Sequence, residues 1–520
     1  MTGSAAAKGA GVVLVLLALA AGVLQTAVLW WSDFPLGVPG EWVWERIPVV
    51  GSLLVIFWPA LAAGVLLTGY VVLGSGMVAQ ARPWSRTAWL VGLWLIGSVW
   101  LLSVVGSTPG ISGLSRIPFV LFYPRSSGYF TQAKEHAHDI RGFLKGYRER
   151  IADSDNPENH LHLGTHPPGL TLSFLGMIRA CESSPGLTEF ILATQPAGVS
   201  EGNDAVRRTE QIGGKGPAFL PADAAVLWLG GWIAAVISTG TCIPLYLLAR
   251  RFVTPSAAWW TAGLWLLVPA AAVFLPKSDV LFPCLAMWAQ WFWLTALDRN
   301  RFWHGAATGA VMCVACTLSL AFVPVALMLF LQGLVLRPES TGIELLSNRS
   351  RWHVYAGGTS ALGAWLLLCG VVGGFNLIGI WIQNLKNHAA FYAHHVRSYW
   401  PWLLDNPIEL AFSLGLPLAL LAVIGLSLVG RIPGAKRWEL LIPAAVWMLL
   451  WISGKNMGEA ARLWVFLMPY AVWSAASAVQ FLQQRRNGQA AVAALWLVQM
   501  IVCAATAVRI DGFGFNELGP

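Results

Sequence analysis

The chain has 520 residues, of which 56% are hydrophobic and 11% are charged. A mean hydropathy of +0.62 excludes a soluble globular protein and predicts an all-α polytopic membrane protein. The formal net charge of +8 comes largely from short loops between apolar segments, so it indicates membrane orientation and excludes nucleic-acid binding as its explanation.

Apolar segments recur along the whole chain, and about 20 such residues are needed to cross the hydrocarbon of a bilayer. We predict about thirteen transmembrane helices, at 11–31, 49–78, 87–107, 222–248, 257–275, 281–297, 303–318, 321–336, 355–375, 407–429, 438–452, 463–481 and 490–508. The seventh and eighth are short, so one long tilted helix is an alternative to these two.

The longest polar segment, 108–221, follows the third span and contains a pattern typical of a juxtamembrane helix. From residue 130 to residue 144, apolar residues recur at steps of three and four, which predicts one continuous helix with an apolar face. Glu135 and Asp139 are four residues apart and project together from another face. Paired carboxylates suit acid/base chemistry because their repulsion separates their pKa values, although a solvated helix face is the alternative.

A double proline, Pro167-Pro168, lies within this polar segment and predicts the start of a helix. The apolar run 170–181 that follows is too short to cross a bilayer, so we expect it to lie at the membrane surface; a short span is the alternative. His166, with His160 and His162, is compatible either with a divalent metal or with hydrogen bonding in an ordered loop.

The distribution of Lys and Arg gives a predicted orientation. With a cytoplasmic amino terminus and a surface helix at 170–181, every predicted inside loop carries basic residues, as the positive-inside rule requires. The outer loops are then 32–48, 108–221, 276–279, 376–406 and 453–462. We therefore expect the chemistry of this multi-pass cell-membrane (inner or cytoplasmic membrane) protein on its extracytoplasmic side.

Charged residues cluster where the outer loops meet the spans. Lys277 and Asp279 follow a proline, and Asp279 is either a functional carboxylate or a helix cap. Lys455, Glu459 and Arg462 precede a later span, where the guanidinium suits phosphate capture and an ion pair with Glu459 is the alternative.

His394 and Arg397 stand in an aromatic-rich stretch of the loop 376–406. Cationic side chains among aromatic ones suit a phosphate or sugar contact. An aromatic belt at the level of the lipid headgroups is the alternative.

The ordered set of these motifs resembles the GT-C membrane glycosyltransferases. The resemblance rests on the stretch 128–133, on Thr165-His166-Pro167-Pro168-Gly169 and on the span that ends at 246–251, and it extends over roughly 87–470. The later segments 276–282 and 458–469 are similar to those of uncharacterised bacterial members. The most similar groups are the protein O-mannosyltransferases and the aminoarabinose transferases. In those relatives an Asp precedes the Tyr-containing helix, whereas 124–128 contains no acid in this chain.

The resemblance implies inverting transfer of a sugar from a polyprenyl-phosphate donor to an unidentified acceptor outside the membrane. A carboxylate would deprotonate the acceptor, and the candidates are Asp139, Glu135 and Asp279. The predicted substrate-binding set is Tyr129, His166, Lys277, His394, Arg397, Lys455, Glu459 and Arg462. No metal ligand is assigned, and dependence on a divalent metal stays open.

The predicted domain organisation is a GT-C-like module, 87–338, which carries the large loop 108–221. Two additional transmembrane helices precede it in 1–86, and further transmembrane helices follow in 339–520. A transporter or flippase for lipid-linked glycans and a non-catalytic sugar-binding scaffold are the alternatives to an enzyme.

Overall fold

The computed structural model describes residues 3–514, except 137, 154–161, 214–218, 337–351, 395 and 433. Helices dominate the described chain. The first ten are α1 (Gly3–Trp31), α2 (Leu53–Gln80), α3 (Pro83–Gly106), α4 (Arg116–Phe122), α5 (Tyr129–Glu135), α6 (Ile140–Lys145), α7 (Tyr147–Asp153), α8 (Gly169–Ser183), α9 (Pro185–Ala193) and α10 (Ala197–Gly213).

The remaining helices form the rest of the bundle and its later outer segments. They are α11 (Pro221–Gly240), α12 (Cys242–Ala249), α13 (Pro255–Trp265), α14 (Pro269–Val273), α15 (Phe282–Arg299), α16 (Phe302–Leu318), α17 (Val323–Val335), α18 (Trp352–Leu367), α19 (Leu377–His394), α20 (Tyr399–Leu414), α21 (Leu416–Ser427), α22 (Trp438–Ile452), α23 (Ala460–Leu463), α24 (Met468–Gln483) and α25 (Gly488–Arg509).

Nine helical segments of the described chain are long and apolar enough to cross a membrane, which confirms an all-α polytopic membrane architecture. They are Gly11–Trp31, Leu53–Gln80, Pro83–Gly106, Pro221–Ala249, Pro255–Val273, Ser278–Arg299, Trp352–Val372, Val465–Gln483 and Gly488–Arg509. Helix α8 is not among them.

The other four predicted spans correspond to shorter or bent elements. Three are the apolar helices Phe302–Leu318, Leu320–Val335 and Trp438–Ile452, and the fourth is the pair α20–α21, bent by 107°. The backbone of Ser319 is extended, so the alternative of one long helix across 303–336 is wrong. Thirteen crossings stay a prediction.

The bend between α20 and α21 lies at Gly415, whose φ of +90° favours glycine. Side chains of two other helices satisfy the backbone groups freed by the break. Gln25 accepts from Leu416 N and donates to Phe412 O, both at 2.7–2.8 Å. Gln499 donates to the carbonyl of Leu414 at 2.9 Å. In an apolar bundle these amides replace the water that would otherwise solvate the break.

The segment α13–α14 is the centre of the bundle. The span Pro255–Val273 is 94% buried inside the protein, whereas Trp352–Val372 is only 17% buried and exposes its apolar side chains outward. Buried indoles on α13 donate to neighbouring backbones, Trp259 to Val71 O at 2.9 Å and Trp265 to Ser238 O at 2.8 Å. These bonds fix the element that leads into Lys277.

The large loop folds as a cluster of short helices, and one prediction about it is wrong. The continuous helix expected across 130–144 is broken, because α5 ends at Glu135 and α6 begins at Ile140. The carboxylate of Asp139 accepts from Gly142 N at 2.8 Å and caps α6. Glu135 and Asp139 therefore do not project from one helix face.

Helix α8 begins directly after the double proline, as predicted. At Gly169 an added Cβ would lie 2.4 Å from the carbonyl oxygen of Thr317, so only glycine allows this close approach to the end of α16. The face of α8 that carries Leu170, Phe174 and Ile178 is buried. These apolar residues, which we expected at the membrane surface, pack against the rest of the protein.

Two short antiparallel pairs stand near the ends of the chain. Strand β1 (Gly37–Val38) pairs with β2 (Trp42–Val43), and β3 (Glu45–Arg46) pairs with β4 (Ile510–Asp511). The second pair joins the loop after α1 to the residue pair that follows α25. Both pairs contribute residues to the lining of one cavity.

Candidate functional site

Lys277 lies between α14 and the 3-10 turn Ser278–Leu281 and is only 9% exposed. Its Nζ donates to the carbonyl of Ser126. Burial, together with the positive charge of Arg462, lowers the pKa of Lys277 to about 7, although Asp279 and Glu459 oppose this effect. The ammonium is therefore held in a place where its own charge is poorly compensated.

Arg462 reaches the same place from the other end of the sequence, on the one-turn helix α23. Its Nη2 donates to Oε2 of Glu459 at 2.6 Å, and its side chain is 13% exposed. Glu459 itself has a φ of +54°, at the end of a turn in which Gly454, Asn456 and Gly458 also have positive φ. This tightly wound turn presents the Glu459–Arg462 pair inward.

The Nε of Arg462 is buried and has no hydrogen-bond partner among the described residues. The nearby acids Glu459 and Asp279 raise its pKa against the effect of burial, so the guanidinium stays charged. A buried donor without a partner is costly in a finished structural network. This N–H is available to donate to an anion.

Tyr129 and Asp279 complete the cluster. Tyr129 is buried at the start of α5, and burial together with the charge of Asp279 raises its pKa well above the usual value, while Arg462 opposes the shift. The half-buried Asp279 thus lies close enough to influence Tyr129, Lys277 and Arg462. Five of the predicted site residues therefore lie close together, namely Tyr129, Lys277, Asp279, Glu459 and Arg462.

A cavity of about 480 Å³ opens beside this cluster. Lys277, Arg462, Glu459 and Arg125 are among its lining residues. Its lining comes from segments that are far apart in sequence, namely residues 40–45, 125–126, 274–277, 459–462 and 511–514. The volume lies within the range of roughly 300–1,000 Å³ typical of small-molecule sites.

His166 borders the cluster from the double-proline segment. Its ring lies 5.9 Å from that of Tyr129, edge to face, and its Nδ1 lies 3.1 Å from the hydroxyl of Thr165. The hydroxyl of Tyr147 donates to its carbonyl oxygen at 2.9 Å, and Asn384 on α19 donates to the same oxygen at 3.2 Å. These bonds fix the loop that carries His166.

Helix α19 adds a histidine that was not among the predicted site residues. His388 lies near His166 and near Lys455, and burial together with these charges lowers its pKa. Its side chain also bonds to that of Asn456. Lys455 is exposed, so it stands at the rim rather than within the buried cluster.

Arg397 lies outside the cluster and contacts the loop after α1 and helix α20. Its guanidinium donates to the carbonyl of Glu41 and lies 5.9 Å from the ring of Trp402. The carboxylate of Glu41 accepts from Trp402 Nε1 at 2.6 Å and from Ser398 N. Although burial opposes it, these bonds and Arg397 lower the pKa of Glu41. This group fastens the loop after α1 to the start of α20.

The two predicted carboxylates of the large loop stand apart from the charged cluster. Glu135 and Asp139 are both exposed, and Asp139 serves as the cap of α6. Asp279 is therefore the predicted carboxylate that the fold brings to Lys277 and Arg462.

The remaining predictions concern histidines and metal binding. The side chains of His394 and His162, and the whole of His160, lie outside the described residues. Within the described chain, no group of three His, Cys, Asp or Glu side chains is close enough to hold a metal ion.

Sequence reasoning missed Glu409, which is 1% exposed on α20. Its carboxylate accepts from the backbone of Ala460 at 3.2 Å and of Ala461 at 3.0 Å, and from Trp44 Nε1 at 3.2 Å. It thereby holds the first turn of α23, which carries Arg462. The available signal was an acid, four residues after Asp405, in a largely apolar stretch.

A scan against protein-family models finds no match to this sequence, and a comparison with curated proteins finds none either. The resemblance to the GT-C glycosyltransferases stays a prediction based on motifs.

Proposed function

We propose that this protein transfers a sugar from a polyprenyl-phosphate donor to an acceptor hydroxyl at the extracytoplasmic face of the membrane, with inversion at the sugar. One observation carries the proposal: Lys277 and Arg462 line a cavity of about 480 Å³ at one end of a bundle of apolar helices, and Asp279 lies close enough to act electrostatically on both. A donor whose chain lies in lipid and whose phosphosugar lies at the headgroups needs charges in such a position.

The chemistry assigned to the cluster is base catalysis with stabilisation of the leaving group. Asp279 takes the proton of the acceptor hydroxyl, which requires an approach to about 3 Å. The acceptor oxygen bonds to the anomeric carbon from the side opposite the phosphate, and the bond between that carbon and the phosphate oxygen breaks. The electron pair stays on the polyprenyl phosphate, whose charge Arg462 and Lys277 stabilise.

The unpaired Nε of Arg462 favours this assignment of roles. A guanidinium bonded to Glu459 through Nη2 alone retains donors for a phosphate oxygen. A phosphate beside Lys277 also favours its protonated form, so donor binding supplies the charge that burial disfavours.

A transporter of lipid-linked sugars is the second candidate, and the bent pair α20–α21 is the observation that favours it. Broken helices form binding sites in transporters, where unwound backbone groups coordinate the cargo. Here Gln25 and Gln499 bond to backbone groups at the break. Because side chains of the protein fill this break, we prefer the enzyme.

The two candidates are separated by purified full-length protein in liposomes with radiolabelled polyprenyl-phosphate sugars and a membrane lipid extract as acceptor. Transfer of label from the polyprenyl phosphate to another molecule, lost in Asp279→Asn, supports the enzyme. Movement of intact donor between leaflets without cleavage supports the transporter and refutes the proposal. Donor binding with neither event supports a non-catalytic scaffold and also refutes it.

A further inference from the structure

The cavity beside Lys277 and Arg462 has a second group of lining residues, which comes from the two ends of the described chain. Residues 40–45 precede α2, and residues 511–514 follow α25. The pairing of β3 with β4 places Glu45 directly opposite Asp511. Two carboxylates from opposite ends of the sequence are thus neighbours on one part of the lining, which we call the terminal wall (Trp42, Glu45, Asp511 and Phe513).

The terminal wall is held by backbone and side-chain bonds. Trp44 N donates to Leu36 O at 2.8 Å, and Ile47 N donates to Arg509 O at 2.7 Å, so β3 is anchored on both sides. The indole of Trp44 also bonds to Glu409 at 3.2 Å. Glu409 therefore stabilises the terminal wall through Trp44, and it also stabilises α23, which carries Arg462.

Asp511 and Phe513 are fixed in a similar way. Oδ1 of Asp511 accepts from Phe513 N at 2.8 Å. The buried guanidinium of Arg116 lies 5.4 Å from the ring centroid of Phe513, interacts electrostatically with Asp511, and donates to the carbonyls of Leu275 and Ser112. The terminal wall is thus built against the segment that leads into Lys277.

The chemistry of the terminal wall differs from that of the basic residues. Arg125, Lys277 and Arg462 suit an anion, whereas Glu45 and Asp511 are acceptors and Trp42 and Phe513 offer aromatic faces. Carboxylates accept bonds from hydroxyl groups, and aromatic faces pack on apolar faces of a ring. One cavity therefore joins an anion site to a site for a polyhydroxyl ring.

Charge repulsion gives the terminal wall a selectivity. Like charges directly opposite in an antiparallel pair already repel each other. A ligand carboxylate placed against Glu45 and Asp511 would meet both negative charges in a partly buried cavity, where Coulomb interactions are stronger than in water. The guanidinium of Arg116, which interacts with Asp511, offsets part of this repulsion.

We infer that the terminal wall recognises the sugar of the donor, accepting a neutral hexose and excluding a uronate. This inference rests on the proposed function, because the phosphate held by Lys277 and Arg462 positions the sugar within the same cavity. The terminal wall lies outside the module 87–338, so residues from both ends of the chain determine specificity.

The test uses the full chain in liposomes and two synthetic short-chain polyprenyl monophosphates, one carrying glucose and one carrying glucuronate in the same linkage. We measure donor Kd from tryptophan fluorescence and kcat/KM for transfer. We expect wild-type protein to prefer the glucose donor by about tenfold or more in Kd and in kcat/KM. Glu45→Gln and Asp511→Asn should each reduce this ratio, and the double variant should bring it near one.

Glu189→Gln, an exposed change on α9, is the matched control and should keep the wild-type ratio. If the double variant fails to fold, the two single variants decide, since each removes one charge. Equal use of both donors by wild-type protein, or an unchanged ratio in both single variants, overturns the inference.

The two measurements separate this inference from the proposed function. Preferential binding of the glucose donor without transfer supports the terminal wall and refutes the transferase. Transfer without preference refutes the terminal wall and leaves the transferase. Absence of binding by either donor refutes both.

Discussion

Two mostly buried arginines, Arg251 just before α13 and Arg462 on α23, differ in how many of their N–H donors have hydrogen-bond partners. Arg251 donates to both carboxylate oxygens of Glu439, each at 2.7 Å, and to Asp298 at 2.6 and 3.2 Å. Arg462 bonds to Glu459 through Nη2 and has a buried Nε without a partner in the described chain. A guanidinium whose donors are satisfied is structural, whereas one with a spare donor is available to a ligand.

The neighbours of the two arginines support the same distinction. Arg251 has two carboxylates at hydrogen-bond distance, whereas Arg462 has one, and the ammonium of Lys277 lies nearby. Like charges that are held together without a full set of partners raise the free energy of the ligand-free site, and an anion relieves this cost. The comparison assigns stability to the Arg251 network and binding to the Arg462 cluster.

The largest effect should come from the base. We expect Asp279→Asn to reduce the kcat of sugar transfer by about 10²–10⁴-fold, because the amide cannot accept the acceptor proton. The matched change Asp139→Asn should leave the rate near wild type, since Asp139 caps α6 and asparagine caps helices about as well. Radiolabel transfer measures both. A wild-type rate in Asp279→Asn would remove the assigned role.

The two arginines should respond to alanine in opposite ways. Arg462→Ala should lower kcat/KM about 10²–10³-fold with a nearly unchanged Tm, because it removes leaving-group stabilisation. Arg251→Ala should lower the free energy of unfolding by about 3–5 kcal/mol, because Glu439 is left buried without its partner. Thermal melts in detergent and transfer kinetics measure the two effects. A large loss of Tm in Arg462→Ala would contradict the comparison.

Glu409 should act through Arg462. Because its carboxylate holds the backbone of α23, we expect Glu409→Gln to raise the donor KM about tenfold with a smaller change in kcat. In a double-mutant cycle the change should have little further effect in the Arg462→Ala background. Additive losses would assign Glu409 a general structural role.

The smallest effect should be a pH dependence from Lys277. Its pKa of about 7 lies below the ordinary value of 10.5, so its charge is present below pH 7 and is lost as the pH rises. The donor is a phosphodiester and does not titrate here, so its KM should rise about fivefold from pH 6 to pH 8.5. Lys277→Arg should flatten this profile. A profile that is the same in both proteins would contradict the role of the ammonium.

Proton linkage gives Lys277 a second consequence. The folded protein binds fewer protons at this side chain than the unfolded chain between pH 7 and pH 10.5. The contribution of Lys277 to the free energy of unfolding therefore rises across this window.

Local pattern determined much of the architecture. Hydrophobic runs identify the helices because a bilayer requires each backbone group to bond within its own segment. Prolines mark helix starts: Pro255 stands in the first turn of α13, where a residue without an N–H fits, and Pro168 immediately precedes α8. The charged residues near 277–279 and 455–462 could be identified as candidate site residues from the sequence, because charge at the edge of an apolar run is unusual.

Tertiary structure decided which of these charges meet. Asp139 and Asp279 were equivalent as candidate bases in the sequence, but α5 ends at Glu135 and leaves Asp139 to cap α6. Glu409 stabilises α23 only because tertiary packing brings the first turn of α23 within hydrogen-bond distance of its carboxylate. The two-residue strands of the terminal wall are too short to carry a periodic signal. Contacts between residues hundreds of positions apart depend on packing, which local sequence does not encode.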